Sequence, residues 1–196
     1  MDNQELMSLL ESRRTYRRFD ESRAIDDEIV ADMKHSAQLA SSAMNRQPLK
    51  YIYVRRPDTV NAIFDITRWG SALPDGLGRP REGERPTMFV AVLAVKELTT
   101  RFTDFDAGLA VSNITLAAWS HGVGSCVLGS VDCERLREML EIPDELEIIT
   151  VVGFGYPTHT SRIVEVSEGD DMKYSLDGQK NYVVPKKSIS DTVKDI

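Results

Sequence analysis

The hydrophobic positions along the chain switch between the spacing of helices and that of strands. Leu6, Leu9 and Leu10 recur at helical spacing, whereas continuous apolar runs of strand length follow later. A helix buries side chains every three or four residues, and a strand that is covered on both faces buries nearly all of them. These patterns predict helices over residues 3–12, 26–40, 58–66, 103–122 and after a cap at Asp132, and strands over residues 49–54, 88–95, 125–128 and 146–154.

The longest of these helices, over 103–122, is apolar on nearly all sides. Thr103 is predicted to cap it and Gly122 to end it, while Asp104 and Asp106 fall in its positive first turn. A surface helix keeps one polar face, so this helix should be buried on more than one side. Either a sheet and a layer of helices cover it, or a second copy of the chain does. The apolar positions are Leu109, Ala110, Val111, Ile114, Leu116, Ala117, Ala118 and Trp119.

Composition is typical of a soluble protein of one domain. With 196 residues the chain can bury its own core, and no repeat or linker marks a boundary, so we predict a single domain over 1–196. Cys126 and Cys133 form no CxxC or metal-ligand pattern, and no secretory segment precedes them. The apolar run 88–95 is too short to cross a bilayer. We therefore expect a cytoplasmic protein with no metal and no membrane partner.

Charge limits the possible partners further. The net charge of −7 disfavours nucleic acid, because phosphates would be repelled over most of the surface. Any bound anion must therefore meet a local cluster of cations. The first candidate is either a solvated cluster at the end of the first helix or a site where guanidiniums hold a phosphate. It consists of Arg13, Arg14, Arg17 and Arg18 with the Thr15 hydroxyl, and a second basic pair is Lys186 and Lys187.

Three irregular stretches are candidates for ligand contact. Residues 40–48 are small and polar, which suits a ligand-lining loop or an ordinary connection between a helix and a strand. Residues 68–86 hold four glycines and three prolines, so they form either a lid or a mobile surface loop. Trp69 is an aromatic that such a lid could lay over a flat ligand. The polar tail from about residue 158 is long enough to wrap a neighbouring chain.

Catalysis by side chains alone has little support in the sequence. No GxSxG, HExxH or GxxxxGK[ST] motif is present, and no GxGxxG opens a helix after a strand. His35, His121 and His159 have no partner at ligand spacing, and each is interpreted as a satisfied structural or surface histidine. No catalytic residue is therefore nominated, and the reactive group of an enzyme would be a bound cofactor.

Four separated segments match the patterns of one known family in the right order. They are RRTYRRF at 13–19, ASSAMNRQP at 40–48, GVGSC with LGS across 122–130, and VGFGYP at 152–157 with the later PKK at 185–187. The chain thus resembles the FMN-dependent nitroreductases, whose corresponding patterns are RRS-x-R-x-F, A-P-S-A-x-N-x-Q-P, G-L-G-x-C with I-G-G, and G-Y-P with terminal basic residues. The resemblance covers nearly the whole chain.

Three positions depart from the family pattern. Ser41 stands where proline is usual, Leu49 where tryptophan is usual, and Ser130 where a second glycine is common. The first two concern the substrate side of the site. At position 130 the family needs a backbone N–H near flavin N5, which serine supplies only if its φ is one that a side chain allows.

The resemblance implies an α+β fold, with a central and mostly antiparallel sheet flanked by helices, assembled as an intertwined homodimer with two FMN sites. Arg13, Arg14, Arg17 and Lys186 or Lys187 would neutralise the phosphate. Thr15, Asn45 and Gln47 would bond the polar edges of the ring. The remaining predicted contacts lie in the loop of the second segment, at Ser42 and Met44, and under the flavin, at Leu128, Gly129 and Ser130.

The implied activity is that of an FMN-dependent NAD(P)H oxidoreductase. Hydride would pass from NADH or NADPH to the flavin and then to an electron-poor small molecule, such as a nitroarene or a quinone, in a ping-pong sequence. Two alternatives stay open from the residues. One is a flavoenzyme of the same fold with other chemistry, namely dehalogenation, ene reduction or flavin breakdown. The other is an FMN-binding dimer without turnover.

Overall fold

A central antiparallel sheet forms the middle layer of the protein. The computed structural model describes residues 2–74 and 76–196. Within them the sheet consists of β1 (Leu49–Val54), β2 (Met88–Val95), β3 (Gly124–Leu128) and β4 (Leu146–Gly155). The strands lie in the order β1-β2-β4-β3, and each neighbouring pair is antiparallel. The predicted α+β class with an antiparallel sheet is confirmed.

Helices cover both faces of this sheet. The described residues form α1 (Asn3–Ser12), α2 (Asp27–Gln38), α3 (Pro57–Asp65), α4 (Thr103–Ser120), α5 (Cys133–Met139) and α6 (Ile189–Thr192). Asp132 caps α5 as predicted, since its side chain accepts a hydrogen bond from the Arg135 N–H. In the described part of the chain no helix is both long and apolar enough to span a membrane.

The side chains of β2 alternate between two apolar cores. Met88 and Val90 pack with the buried side chains of α2 and α4. Phe89 and Leu93 pack on the opposite face with those of α3 and α5. This explains why the strand has no polar face: its entire length lies between two layers of helices, as the continuous apolar run predicts.

The central helix α4 has one face buried in the core and another exposed to solvent. Ala107, Ile114 and Ala118 face the core, whereas Phe105 is 68% exposed and Leu109 is also exposed. Of the two coverings considered for this helix, the layers of the same chain therefore account for one face. The other face leaves large apolar side chains open to solvent, which is unfavourable unless something covers them.

The predicted cap of α4 is wrong. Thr103 is the first helical residue, and the cap position belongs to Phe102, which makes no side-chain capping bond. The Thr103 hydroxyl instead accepts the Thr100 N–H at 2.8 Å. This bond closes the turn that precedes the helix, so the hydroxyl acts one turn earlier than a cap would.

The C-terminal tail forms a small sheet that the sequence analysis missed. It contains β5 (Ser161–Val166), β6 (Ser175–Leu176) and β7 (Tyr182–Lys187). β7 lies in the middle, parallel to β5 and antiparallel to β6. In these strands only Tyr182 is buried among the described residues, so the tail shows almost none of the apolar alternation that predicts a strand.

The interpretation of Trp69 as a lid aromatic is wrong. Its ring is buried between Phe19, Phe64 and Phe89, and its indole N–H donates to the Thr67 hydroxyl at 2.9 Å. A ring held in the core cannot lie over a ligand. The start of the 68–86 stretch is therefore anchored to the core through Trp69.

Candidate functional site

A cleft of about 240 Å³ opens beside the edge strand β3. The end of α1 and the residues after it form one wall, the middle of α4 forms the second, and β3 forms the floor. The lining contains basic, hydroxyl-bearing and apolar side chains. It consists of Arg13, Arg14, Thr15, Gly108, Val111, Ser112, Thr115, Ser125 and Val127.

The extended segment after α1 is fixed to β3 by backbone pairing. α1 ends at Ser12, and the C-cap residue Arg13, with a ψ of 102°, turns the chain out of the helix. Thr15 then bridges Ser125 in parallel, and the Tyr16 N–H donates to the Ser125 carbonyl at 2.9 Å. The Tyr16 ring stacks on Trp119 near the end of α4, with 4.8 Å between centroids. These contacts place the first two arginines at the mouth of the cleft.

Both arginines keep an unused donor inside the protein. The Nε atoms of Arg13 and Arg14 are buried, and neither has a hydrogen-bond partner in the described part of the chain. Burial lowers the pKa of Arg14, and the neighbouring Arg13 charge lowers it further. Two like charges held together, each with an unpaired buried donor, favour an anion that accepts from both.

Arg17 is separated from these two arginines. Its guanidinium lies over the rings of Tyr174 and Tyr182, at 4.4 and 5.0 Å from their centroids. Cation–π contacts of this kind hold a guanidinium against an aromatic face. The three arginines predicted to bind the phosphate thus face different surroundings: Arg13 and Arg14 line the cleft, and Arg17 contacts two tyrosines of the C-terminal segment.

The predicted loop contacts lie outside the lining of this cleft. Met44, Asn45 and Gln47 are exposed, with φ values of 52°, 50° and 48°. Ser42 is half-buried, and its hydroxyl donates to Asp106 near the start of α4. None of these loop residues lines the cleft of its own chain.

The residues predicted to lie under the flavin follow directly after the part of β3 that lines the cleft. Leu128 is buried at the end of β3, and Gly129 and Ser130 follow it at the surface. Ser130 does not have a positive φ. Its carbonyl accepts the Arg68 N–H at 3.0 Å, which ties the segment to the chain after α3. Serine therefore fits this backbone without strain, although glycine is common in the resembling family.

Lys186 and Lys187 end β7 and are both exposed. They pair with Glu165 and Val166 of β5. Neither lysine lines the cleft.

A model of the Nitroreductase family matches residues 10–75 and 82–156, well over half of the chain. The chain belongs to the nitroreductase family. The resemblance inferred from the four sequence segments is thereby confirmed. The match ends at residue 156, so the small C-terminal sheet lies beyond it.

Nitroreductase relatives are similar over most of their length. A protein of Archaeoglobus fulgidus, provisionally named NADH dehydrogenase/NAD(P)H nitroreductase, is 30% identical over 172 residues, which cover 84% of this chain and 92% of the relative. An FMN-dependent nitroreductase of Clostridium difficile has a TM-score of 0.65 at 20% identity, covering 80% of this chain and 90% of its own. A provisionally named nitroreductase of Desulfovibrio desulfuricans, solved with FMN, has a TM-score of 0.66 at 23% identity over 81% and 89%. These structures share the fold.

Sequence reasoning missed the wall that α4 contributes to the nitroreductase cleft. Gly108, Ser112 and Thr115 recur at intervals of four and three and so share one helical face. Small and hydroxylic residues at this spacing, within an otherwise apolar helix, were the available signal. They leave room for a ligand between α4 and β3.

His159 differs from the satisfied histidine that was expected. It is buried beside the rings of Tyr16 and Tyr182, and neither ring nitrogen makes a well-formed hydrogen bond within the described residues. Burial lowers the pKa of His159 to about 4, and the charges of Arg18 and Arg17 add to the effect, while the Arg18 backbone opposes it in part. The histidine is therefore neutral in the folded protein near pH 7.

The free energy of unfolding should decrease as the pH is lowered, because of this residue. Because the folded-state pKa lies below the ordinary value of 6.5, the unfolded chain binds the proton first as the pH drops. Between about pH 6.5 and 4 the contribution of His159 should be lost at up to about 1.4 kcal/mol per pH unit. Urea unfolding at several pH values should show that the free energy of unfolding depends less steeply on pH in His159→Gln than in the wild type. The exposed His35→Gln is the control, and equal slopes in the two variants would contradict the assignment.

Proposed function

We propose that this nitroreductase-family protein binds FMN in the cleft beside β3 and uses it to transfer electrons from NAD(P)H to nitroaromatic, quinone or similar electron-poor acceptors. The observation that carries the proposal is the pair of unpartnered, buried Nε donors on Arg13 and Arg14. A phosphate accepts strongly from guanidiniums and would satisfy both donors. The relatives named for FMN and NAD(P)H support the same choice of cofactor.

Each part of the cleft has a role in this proposal. Arg13 and Arg14 bind the phosphate, and the hydroxyls of Thr15, Ser112 and Thr115 bond the polar chain beyond it. Val127 gives an exposed apolar surface for the flavin to lie along. The backbone of Gly129 and Ser130 follows in the same direction and offers N–H donors to the ring. Bound FMN supplies the two-electron chemistry, so the protein needs only to bind, orient and exclude water.

A second copy of the chain would complete the site. The exposed apolar face of α4, with Phe105 and Leu109, is the surface that such a copy would cover. Met44, Asn45 and Gln47 are exposed and lie outside the cleft of their own chain, so they are available to the flavin of the partner. A homodimer through α4 accounts for both observations.

The flavin assignment is tested on the purified protein. We expect a yellow preparation that releases FMN on denaturation, and an apoprotein that takes up added FMN. A colourless protein that also fails to bind added FMN would refute the assignment.

Turnover is tested on the loaded protein. NADH or NADPH should bleach the flavin absorbance within seconds, and a nitroarene or quinone should restore it. If the flavin stays oxidised with both nucleotides, the protein binds FMN but lacks this activity.

The oligomeric state is tested by sedimentation. Sedimentation at micromolar concentration should give the mass of two chains, and a monomer would contradict the shared site.

A further inference from the structure

Asp106 is a buried carboxylate that contacts the loop of residues 42–47. It lies in the first turns of α4, and only 5% of it is exposed. No lysine, arginine or histidine of the described chain forms an ion pair with it. An ionised group in such a place must have its charge satisfied by hydrogen bonds and by the positive end of the helix.

Among the described residues, both hydrogen bonds to the Asp106 carboxylate come from one loop. The Ser42 hydroxyl donates to one carboxylate oxygen at 3.0 Å, and the Ala43 N–H donates to the other at 2.9 Å. The Ser42 Oγ in turn accepts the Gln47 N–H at 3.0 Å. Asp106 therefore fixes the start of the loop directly and its end through Ser42.

The backbone between these fixed points is one that the loop would not keep unaided. Met44, Asn45 and Gln47 all have a left-handed φ, although none of them is glycine. Such conformations are uncommon for residues with side chains and persist where the surroundings hold them. The two bonds to Asp106 tie the start of this loop to the helix beneath it, and the Gln47–Ser42 bond closes the loop on itself.

The side chains that this backbone presents face solvent, and among the described residues the Gln47 amide bonds only to its loop neighbour Asn45. Met44 is 75% exposed, and Asn45 and Gln47 are exposed beside it. Phe105 precedes Asp106 in the sequence and begins the uncovered face of α4. One turn of this helix thus supports the loop on one side and faces outward on the other.

We propose that Asp106 is a positioning residue, which holds the loop of residues 42–47 in the conformation that contacts a flavin bound mainly by a second copy of the chain. The inference rests on the function proposed above. Asp106 itself does not touch the flavin. It restricts the loop before binding, so less conformational freedom is lost when the ligand arrives.

The test compares two aspartates of the same helical turn. Asp106→Ala removes both bonds to the loop, and Asp106→Asn keeps an oxygen acceptor for one of them. Asp104→Ala removes the same charge from an exposed position of the first turn of α4 and serves as the matched control. Amide hydrogen exchange at Ala43 and Gln47 is measured in the apoprotein, and the FMN dissociation constant is measured by quenching of flavin fluorescence.

We expect Asp106→Ala to exchange these two amides at least tenfold faster and to bind FMN at least tenfold more weakly. Asp106→Asn should lie between it and the wild type, and Asp104→Ala should match the wild type in both measurements. If Asp106→Ala does not fold, Ser42→Ala tests the Gln47 end of the loop. It removes the bond that Ser42 donates to Asp106 and the one that it accepts from the Gln47 N–H, and it leaves the Ala43 bond in place.

Two results would overturn the proposal. Unchanged exchange in Asp106→Ala would show that the carboxylate does not hold the loop. Faster exchange with unchanged FMN affinity would show that the loop is held but does not contact the ligand. Failure of the function proposed above is distinguished from both, because the wild-type protein would then not bind FMN.

Discussion

Replacing Arg13 with alanine is expected to weaken FMN binding by about 10- to 150-fold, because it removes hydrogen bonds to a charged phosphate worth roughly 1.5–3 kcal/mol. The same change removes a positive charge beside Arg14, whose pKa that charge lowers. The apoprotein should therefore unfold at the same temperature or slightly higher. Loss of affinity without loss of stability is the result that identifies a binding residue, and titration of apoprotein with FMN measures it.

Arg135→Ala is the matched control. Arg135 lies on α5 and is exposed, and the removal of its side chain changes the net charge by the same amount. It should leave FMN affinity unchanged, apart from a small electrostatic effect that high salt screens. If Arg13→Ala and Arg135→Ala bind FMN equally, Arg13 belongs to a solvated cluster, and the cleft is not the phosphate site.

Buried strands and amphipathic helices could be predicted from the sequence because their patterns are local. The predicted bounds of α1, β1 and β2 coincide with those of the structure. The apolar run of β2 indicated that both faces are covered, and Met88 and Phe89 indeed enter separate cores. Such agreement is expected where a local pattern of apolar positions marks the element.

Two of the errors arose where a residue's role depends on distant parts of the chain. Trp69 lies in a stretch rich in glycine and proline, but its ring is buried by Phe19 and Phe89, which are far from it in sequence. The strands β5 and β7 pair in parallel across more than a dozen residues, and their largely exposed side chains carry no periodic signal. Long-range packing of this kind is not encoded in local spacing.

The candidate site was predictable as a set of residues but only partly as an arrangement. Arg13, Arg14 and Arg17 look equivalent in the sequence, since all three follow the same helix. In the structure, pairing with β3 places the first two in the cleft, while Tyr174 and Tyr182 hold the third. Those tyrosines lie beyond the part of the chain that matches the family, so neither family pattern nor local spacing pointed to them.

Phe19→Ala should cause the largest loss of stability among these variants. Phe19 is fully buried, and its ring lies so close to Gly155 that a Cβ there would come within 2.8 Å of Phe19 Cβ. Its N–H donates to the Glu84 carbonyl and its backbone bridges Pro157, so the residue fixes the end of the arginine segment to the chain just after β4. Truncation of a buried phenylalanine costs about 3–5 kcal/mol. The melting temperature should fall by roughly 6–20 °C for a chain of this size.

The effect should also reach the cleft, because the segment that carries Arg13 is held at two places. Tyr16 pairs it with β3, and Phe19 anchors it beside the end of β4, at Gly155 and Pro157. Phe19→Leu fills most of the volume and should cost less, about 1.5 kcal/mol. Leu39→Ala is the control, since it removes an exposed apolar side chain and should change the melting temperature little. If Phe19→Ala and Leu39→Ala have the same melting temperature, Phe19 does not anchor this segment. The position of the arginines must then depend on Tyr16 and β3 alone.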